Sequence, residues 1–494
     1  MAGVGFELKK LFRQNGGYLN TAKAYAVSAV VTEGPLVLNI VMMVVLKSLM
    51  GLFHGGYADQ EVFLITSTYI MIFSLMLSNT VLMFVSRYVS DCIYERRASD
   101  ILPSFFAVVF YLLLFGGVVG MVYLSTLSAP PIHKLLNLVQ FCVMLVVWVQ
   151  MAYLSAIKKY TKILIGFLES TFLSIASALT LMLLKVSPLT AVFAASTLGV
   201  LVMMLIYLQE MVTYYPRGEF SLVGFFPALQ KFKILIPVGA FMTFGLFGHN
   251  LVYWMSDYST QVMEHMVYCM KYDVPCFYAS LTIIPFLVTF TVSMEVKFFQ
   301  AYRKCFDTIQ YGGTLQHIML EKESLCKTLF RELAHVFEVQ FFIEVIAITF
   351  VGNILQNVQF DQEMMGIFRY LCIGYCFYAL FKSLVIVLLY LDDRKGACLL
   401  SGLFALLSLA GSVAGLFAGI ETWGLGFLGA AAITCVVGVI YVKHFVMGLE
   451  YHVFCTQPLV HEEPKGIFLE IARWVEHRER DIIDKRRMKH NEHL

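Results

Sequence analysis

Charged and titratable side chains stand inside long apolar stretches of this sequence. The set consists of Glu33, Glu169, His249, Glu344 and Lys382. Each such group is costly inside a membrane unless it faces water or an oppositely charged partner. Glu33 directly precedes Gly34-Pro35, and this proline predicts a kink that frees backbone groups beside the carboxylate. We expect these side chains to line a polar pathway for a substrate; structural ion pairs between helices are the alternative.

Aromatic side chains are the second candidate set. The chain has 42 Phe and 26 Tyr, more than the aromatic belts at membrane interfaces require. Sugar rings present apolar C–H faces that stack on aromatic rings, while their hydroxyl groups need polar partners. A passage lined by aromatic rings and a few carboxylates therefore suits a polysaccharide, although packing in a membrane core explains most of the phenylalanines. The candidates for substrate contact are Trp148, Tyr153, Tyr253 and Trp254.

The sequence has none of the short motifs that mark a hydrolase, a zinc site or a phosphate-binding loop. Gly424, Gly426 and Gly429 match the dinucleotide-binding fingerprint, but they open an apolar span and no acidic residue follows about twenty positions later. A run of glycines at spacing four, at 411–419, precedes them. Small residues in this pattern predict close packing between the last two spans.

One acidic pair stands out among the loops. Asp392 and Asp393 lie in a short loop before Arg394. A membrane glycosyltransferase would need a metal-binding acidic motif within a far larger cytosolic fold, so an exposed turn is the simpler interpretation. Eleven cysteines without a repeated spacing favour free thiols over a disulfide framework or a zinc site. We expect no enzymatic activity, no cofactor and no metal.

Membrane-spanning helices must position these side chains. Hydrophobic residues make up 59% of the 494 residues and charged residues only 14%, against about 25% charged residues in soluble proteins. Apolar stretches long enough to cross a hydrocarbon core of ~30 Å form two groups of six. The predicted spans are 24–50, 62–89, 101–125, 136–157, 163–185, 189–213, 234–256, 274–296, 337–355, 365–391, 396–419 and 425–447.

The distribution of lysine and arginine predicts the orientation. With the N-terminus inside, the outer segments hold only Lys134 and Lys271, while Lys47 and Lys185 lie near outer helix ends. An excess of basic residues is typical of cytosolic loops, so both termini are predicted to be cytosolic. The predicted fold is an all-α polytopic membrane protein, with about twelve transmembrane helices in two halves of six, as in transporters built from repeats.

Five regions follow from these spans. They are a cytosolic amphipathic N-terminus at 1–23, an N-lobe at 24–213, a cytosolic inter-lobe linker at 214–233, a C-lobe at 234–447 and a cytosolic tail at 448–494. The C-lobe contains a cytosolic loop at 297–336, where apolar side chains recur at helical spacing among basic ones. We expect this amphipathic loop to lie on the membrane surface and to bind a partner through Phe299, Tyr302, Arg303, Lys304 and Phe306.

Three stretches of the sequence resemble one family of transporters. They are AGVGFELKKLF at 2–12, Glu33-Gly34-Pro35, and YDVPCFYASLTIIPFLVTFTVSMEVKFFQAYRKCFDTIQYGG from Tyr272 to Gly313. Through them the chain resembles the PelG family, the inner-membrane transport subunits of the Pel exopolysaccharide machinery. That family belongs to the multidrug/oligosaccharidyl-lipid/polysaccharide flippase superfamily. The resemblance covers nearly the full length and implies two six-helix lobes around a central cavity, but it supplies no motif that assigns roles to individual residues.

The resemblance also implies a function: translocation of a growing Pel chain, rich in N-acetylgalactosamine, across the cytoplasmic membrane. The implied partners are membrane lipids, the polysaccharide, a cytosolic glycosyltransferase (PelF-like), a cyclic-di-GMP receptor (PelD-like) and a scaffold subunit (PelE-like), with no nucleic acid. Two alternatives stay open. One is a cation-coupled small-molecule antiporter of the same superfamily, with Glu33 or Glu169 as its ion site. The other is a membrane anchor of a synthase complex that transports nothing.

Overall fold

Helices make up nearly all of the structure. The computed structural model describes residues 18–351, 360–455 and 466–475, and for residues 18–33, 36, 292, 295, 296 and 351 it describes the backbone alone. The first part of the predicted amphipathic N-terminus and most of the predicted tail lie outside these residues. The described parts of that tail are residues 448–455 and a helix over 467–475.

Six long helices form the first half of the chain. They are α1 (Tyr18–Leu52), α2 (Tyr57–Tyr94), α3 (Ile101–Ser125), α4 (Pro131–Ala156), α5 (Tyr160–Leu183) and α6 (Pro188–Tyr214). Pro131 and Pro188 stand in the first turns of α4 and α6, where a missing N–H group costs no intrahelical hydrogen bond. A short helix, α7 (Phe226–Phe232), lies in the linker between the halves.

The second half also has six spans, one of which is broken. Its helices are α8 (Leu235–Tyr253), α9 (Met270–Leu281), α10 (Ile284–Ser293), α11 (Phe299–Gln310), α12 (Leu315–Ile346), α13 (Gln362–Tyr390), α14 (Arg394–Ala418), α15 (Leu425–Met447) and α16 (Leu449–Phe454). A hairpin of strands β1 (Thr260–Met263) and β2 (Met266–Tyr268) separates α8 from α9. Helix α9 ends at Leu281 and α10 begins at Ile284, directly before Pro285.

Eleven helical stretches among the described residues are long and apolar enough to cross a membrane. A shorter apolar stretch, Val37–Leu52 within α1, supplies the first span. The prediction of about twelve transmembrane helices is therefore confirmed. The helices extend beyond the predicted spans, as in α2, which begins at Tyr57 and ends at Tyr94. Polar residues at helix ends stay helical outside the hydrocarbon core, so hydropathy alone underestimates helix length.

The amphipathic segment after the eighth span packs on its own chain. Helix α10 continues through a π-helical turn, Met294–Phe298, into α11. Helix α11 packs against α12, and Cys305 on α11 is fully buried. The apolar side of α11 thus packs against other helices of the same chain. This packing removes apolar surface from water, as burial in lipid would. Whether α11 also lies on the membrane surface stays a prediction.

Helix packing repeats between the two halves. In the first half, α1 packs on α5, α2 on α4, and both α4 and α5 on α6. In the second half, α8 packs on α14, α9 on α13, and both α13 and α14 on α15. The two sets correspond when α8 takes the place of α1 and α9 the place of α2. The halves are therefore two lobes of one repeated design, as in many transporters, and we call them the N-lobe (α1–α6) and the C-lobe (α8–α15).

Small residues bring α14 and α15 together. A Cβ atom added to Gly426 on α15 would lie 2.3 Å from the carbonyl carbon of Gly411 on α14. Only glycine permits this approach of two backbones, so the predicted role in helix packing is confirmed for Gly411 and Gly426. Gly429, about one turn further along α15, has no neighbouring atom within 4 Å of an added Cβ.

This contrast makes a matched pair of variants. Gly426→Ala should lower the melting temperature of the detergent-purified chain, because overpacking costs about 1–3 kcal/mol. Gly429→Ala adds the same methyl group to the same helix in open space, and it should leave the melting temperature unchanged or slightly higher. Equal melting temperatures for the two variants would contradict the close contact between α14 and α15.

Candidate functional site at the interface between the lobes

The lobes meet along α2 and α8, and we call this contact the α2–α8 seam. At its outer end, as defined by the predicted orientation, the ring of Tyr69 stacks on Trp254 with 4.7 Å between centroids and 7° between planes. The Tyr69 hydroxyl donates to the carbonyl oxygen of Val267 and accepts from its N–H group at 3.1 Å. An N-lobe tyrosine therefore holds both α8 and the hairpin that follows it.

Two more contacts fasten the hairpin to the N-lobe. The hydroxyl of Tyr123 on α3 donates to the carbonyl oxygen of His265 at 3.1 Å. The hydroxyl of Tyr268 on β2 donates to the Glu61 carboxylate on α2. Burial, together with this carboxylate, raises the pKa of Tyr268 to about 12, so its phenol keeps the proton that it donates. The hairpin is thus a strap from the C-lobe to the N-lobe.

The middle of the seam is a direct polar contact between the two helices. The Nδ2 atom of Asn79 on α2 donates to Oγ1 of Thr243 on α8 at 2.8 Å. A Cβ atom added to Gly239 would lie 2.1 Å from the carbonyl oxygen of Asn79. The two backbones therefore touch at this point, which leaves no space for a substrate between α2 and α8.

The inner end of the seam is built around Phe232 of α7, whose side chain is buried. The guanidinium groups of Arg87 and Arg394 lie 5.4 and 4.8 Å from its ring centroid, within the range of cation–π attraction. Asp392 lies 3.7 Å from Arg87 on α2 and accepts from Arg394 at 2.8 Å. Arg394 also donates to the carbonyl oxygen of Lys231 at 3.1 Å. The predicted acidic turn thus contributes to the contact between the lobes.

The second contact between the lobes is different in kind. On that side α1 packs against α10, the half of the broken span that begins at Ile284. Along α2, by contrast, Tyr69 and Arg87 are eighteen residues apart, or about 27 Å, which is nearly the ~30 Å hydrocarbon thickness. The α2–α8 seam is therefore closed across the membrane. On the other side, the lobes meet where α1 contacts a discontinuous helix.

Among the described side chains, the predicted pathway residues Glu169, Trp148 and Tyr153 of the N-lobe have no contact with one another. Glu33 lies in α1, and its side chain falls outside the described part of the structure. Glu169 is exposed on α5. Trp148 is half-buried and donates from Nε1 to the hydroxyl of Ser74 on α2 at 3.0 Å. Tyr153 is fully buried in the N-lobe core. Whether these residues meet a substrate stays a prediction.

In the C-lobe, His249 and Tyr253 belong to one aromatic cluster, and both are fully buried. A hydrogen bond of 2.9 Å joins Nδ1 of His249 to the hydroxyl of Tyr272. The ring of Tyr253 packs between Tyr272 and Trp423, with centroids 4.0 and 4.6 Å away. The cluster is part of the C-lobe core, so a substrate would reach these side chains only after the lobe opens.

Glu344 and Lys382 are placed apart from that cluster. Glu344 on α12 is buried, and its Oε1 atom accepts hydrogen bonds from Thr282 at 2.8 Å and from Gln340 at 2.6 Å. Lys382 is half-buried on α13. Both hydrogen-bond partners of Glu344 are neutral, so the two predicted pathway charges do not form a pair with each other.

The predicted partner-binding residues divide between two environments. Tyr302 and Phe306 pack against the C-lobe core, with 4.4 Å between their ring centroids, and Phe299 is half-buried. The side chains of Arg303 and Lys304 are 72% and 69% exposed. The two basic side chains are the most exposed members of this set, and each has an acidic neighbour: Asp307 lies 3.5 Å from Arg303, and Glu321 lies 2.7 Å from Lys304.

Sequence reasoning missed Asp273 as a structural carboxylate. It accepts hydrogen bonds from Nδ2 of Asn250 at 2.9 Å, from Nε1 of Trp254 at 2.8 Å and from the N–H group of Cys269 at 2.9 Å. These bonds tie the start of α9 to the end of α8, next to the strap. The signal was present, because an acidic side chain in the first turn of a helix is favoured by the helix dipole and can accept from the N–H group of the N-cap residue.

Solved transporter structures share this architecture. The comparison with a structure described as "Crystal structure of MATE P26A mutant" gives a TM-score of 0.58 at 13% identity, covering 91% of this chain and 99% of that one. A MOP superfamily transporter from Pyrococcus furiosus gives 0.57 at 13% identity, covering 87% and 96%. An outward-facing multidrug resistance MATE family transporter gives 0.55 at 13% identity, covering 86% and 96%. The fold is that of a multi-pass transporter of the MATE and MOP type.

Family membership is more specific than the fold. The family profile "PelG: Putative exopolysaccharide Exporter (EPS-E)" matches residues 1–454. The chain belongs to the PelG family, as its sequence resemblance implied. No curated protein matches the chain.

The strap offers a direct test of the closed seam. Tyr69→Phe removes the hydroxyl that serves both backbone groups of Val267, at a cost of about 1–2 kcal/mol. Amide hydrogen exchange of residues 260–268 should become roughly five- to thirtyfold faster. Thr68→Val is the control, because the exposed Thr68 hydroxyl donates only within α2, to Leu64. Unchanged exchange in the Tyr69 variant would show that the hairpin is held by other contacts.

Proposed function

We propose that this chain translocates the N-acetylgalactosamine-rich Pel exopolysaccharide across the cytoplasmic membrane, coupled to a cytosolic glycosyltransferase in a cyclic-di-GMP-regulated complex. The observation that carries this proposal is the PelG family match over residues 1–454. The two-lobe transporter fold supports it, since an anchor for other subunits would not need a repeated pair of lobes.

We place the polysaccharide passage on the side of α1 and the broken span α9–α10. The α2–α8 seam leaves no space, because aromatic, backbone and charged contacts close its outer, middle and inner thirds. A broken span exposes backbone polar groups, which membrane proteins tolerate where the break is buried in protein or lines a cavity. Pro285 at the break therefore favours this side for a hydrated substrate.

The inner surface offers a continuous platform for a cytosolic enzyme. Lys322 on α12 donates to the Glu450 carboxylate at 2.7 Å and to the carbonyl oxygen of Met447 at 2.8 Å. Further along the tail, Phe468 packs against Phe226 of α7, with 5.8 Å between ring centroids. The start of the tail thus touches the C-lobe, and its 467–475 helix touches the linker between the lobes. A partner bound there would sense how the lobes are placed.

The transport step itself can be measured in inverted membrane vesicles that carry the complete synthase complex. Nucleotide-activated N-acetylgalactosamine supplied outside should yield labelled polymer inside the vesicles, protected from an added glycosidase until detergent opens them. A non-transporting anchor would instead leave the polymer sensitive to the enzyme. Synthesis that proceeds equally well without this chain, together with efflux of small molecules, would favour the antiporter.

The partner surface makes a separate prediction. Arg303→Gln combined with Lys304→Gln should reduce the amount of glycosyltransferase that co-purifies with the chain, because these two cations are the most exposed members of the proposed partner surface. Lys327→Gln with Arg331→Gln removes the same charge from α12, where both side chains are equally exposed, and should retain the enzyme. An equal loss of co-purified glycosyltransferase in both double variants would mean that the net charge of the chain matters, and not the surface at Arg303 and Lys304.

A further inference from the structure

The carboxyl group of Glu344 is held entirely by neutral groups inside the C-lobe. Its side chain is 3% exposed, and its Oε1 atom accepts from Oγ1 of Thr282 and from Nε2 of Gln340. The described residues place no lysine or arginine within ion-pair distance of it. An ionised carboxylate in such a setting is costly, because neither water nor an opposite charge compensates it.

Two acceptor oxygens at this site have no hydrogen-bond partner in the described part of the structure. They are Oε2 of Glu344 and Oε1 of Gln340, and the Gln340 side chain is fully buried. The two side chains stand four residues apart on α12 and are already joined by the 2.6 Å bond from Nε2 to Oε1. Buried acceptors without donors are rare in proteins. Two such acceptors on hydrogen-bonded side chains are both explained if one of the two oxygen atoms carries a proton.

The orientation of the Gln340 amide is fixed by the break between α9 and α10. Its Nε2 atom also donates to the carbonyl oxygen of Thr282 at 2.9 Å. Thr282 lies between the two helices, two residues before Ile284 and three before Pro285. If Oε1 and Nε2 of Gln340 exchanged positions, Oε1 would face the carbonyl oxygen of Thr282, and neither atom could donate a hydrogen bond. Oε1 therefore stays on the side away from Thr282.

We propose that Glu344 is a proton-binding site and that the bound proton joins its Oε2 atom to Oε1 of Gln340. A carboxylic acid and a carboxamide then form two hydrogen bonds, one in each direction, and both unpartnered oxygens are satisfied. Binding adds one proton from water to the carboxylate and forms one O–H bond. The proton thereby removes the charge from the interior of the C-lobe.

The titratable groups that face Glu344 are thiols. Cys372 and Cys376 approach it from α13, while Cys435 on α15 faces Cys376 instead. From the break between α9 and α10 the carboxyl group meets the Thr282 hydroxyl, and from α12 the neutral Gln340. None of these groups carries a positive charge. A bound proton is therefore what can neutralise the Glu344 carboxylate within the arrangement seen here.

The coupling of this proton to transport rests on the proposed function. Loss of the proton leaves an uncompensated charge beside Thr282, and the break must rearrange to bring water or a donor to it. Helix α10 begins at that break and packs against α1 of the other lobe. The protonation state of Glu344 thereby biases the contact between the lobes on the side where we place the passage. A proton gradient would supply the energy.

Infrared spectroscopy of the purified full chain tests the site independently of transport. The wild-type chain should show a carboxylic acid C=O band that disappears in Glu344→Gln. Glu332→Gln is the matched control: Glu332 is equally buried on α12, but it is paired with Lys297 at 2.8 Å and bonded to Ser293 at 2.8 Å. That variant should keep the band. A carboxylic acid band that is the same in the wild type and in Glu344→Gln would overturn the proton site.

The vesicle assay then tests the coupling. Glu344→Gln keeps an amide that mimics the protonated acid, so it should fold, assemble and yet lose translocation, whereas Glu332→Gln should translocate. Translocation by Glu344→Gln with the same pH dependence as wild type would overturn the coupling. A wild-type complex that makes polymer without translocating it would instead refute the proposed function and leave the infrared result standing.

Discussion

The absence of water from the hydrocarbon core is the constraint on which this structure depends. A polar group inside the membrane must find its partner within the protein, so each buried polar side chain identifies a contact that the fold needs. Asn79 and Thr243 satisfy each other across the lobes. Gln340 satisfies the Thr282 carbonyl at the helix break. Asp273 collects three donors at the start of α9. These bonds hold the lobes and the broken span in place.

Local features of the sequence determine the helices, and they were predictable for that reason. Apolar length sets the twelve spans, and glycine spacing indicates close packing, as between Gly411 and Gly426. The contacts between lobes were not predictable, because the partners are far apart in the chain. Nothing near Tyr69 indicates that Trp254 will stack on it. The pairing of Gln340 and Glu344 was visible as a four-residue spacing on one helix, but its meaning depends on the break at Thr282.

The aromatic content illustrates the limit of composition as a guide to function. Aromatic rings were considered as a surface for sugars, yet Tyr153 and Tyr253 are fully buried inside the two lobes. Tyr69 and Trp254 instead close the seam between the lobes. Large rings supply apolar contact area at a low cost in conformational entropy, which suits rigid interiors and fixed interfaces. These four rings therefore contribute to packing within and between the lobes, and substrate contact by any aromatic ring stays a prediction.

The two contacts between the lobes are unequal, and this inequality has a mechanical consequence. A polymer that crosses the membrane occupies both ends of its passage at once, so the lobes cannot close one end behind it as they can around a small molecule. A transporter for such a substrate needs a fixed side and a side that yields. Two unbroken helices form the α2–α8 seam, whereas the opposite contact uses a helix that is broken at Pro285. On the proposed function, movement is therefore easiest at α1 and α10, and the fixed seam would keep the lobes together during passage of a polymer.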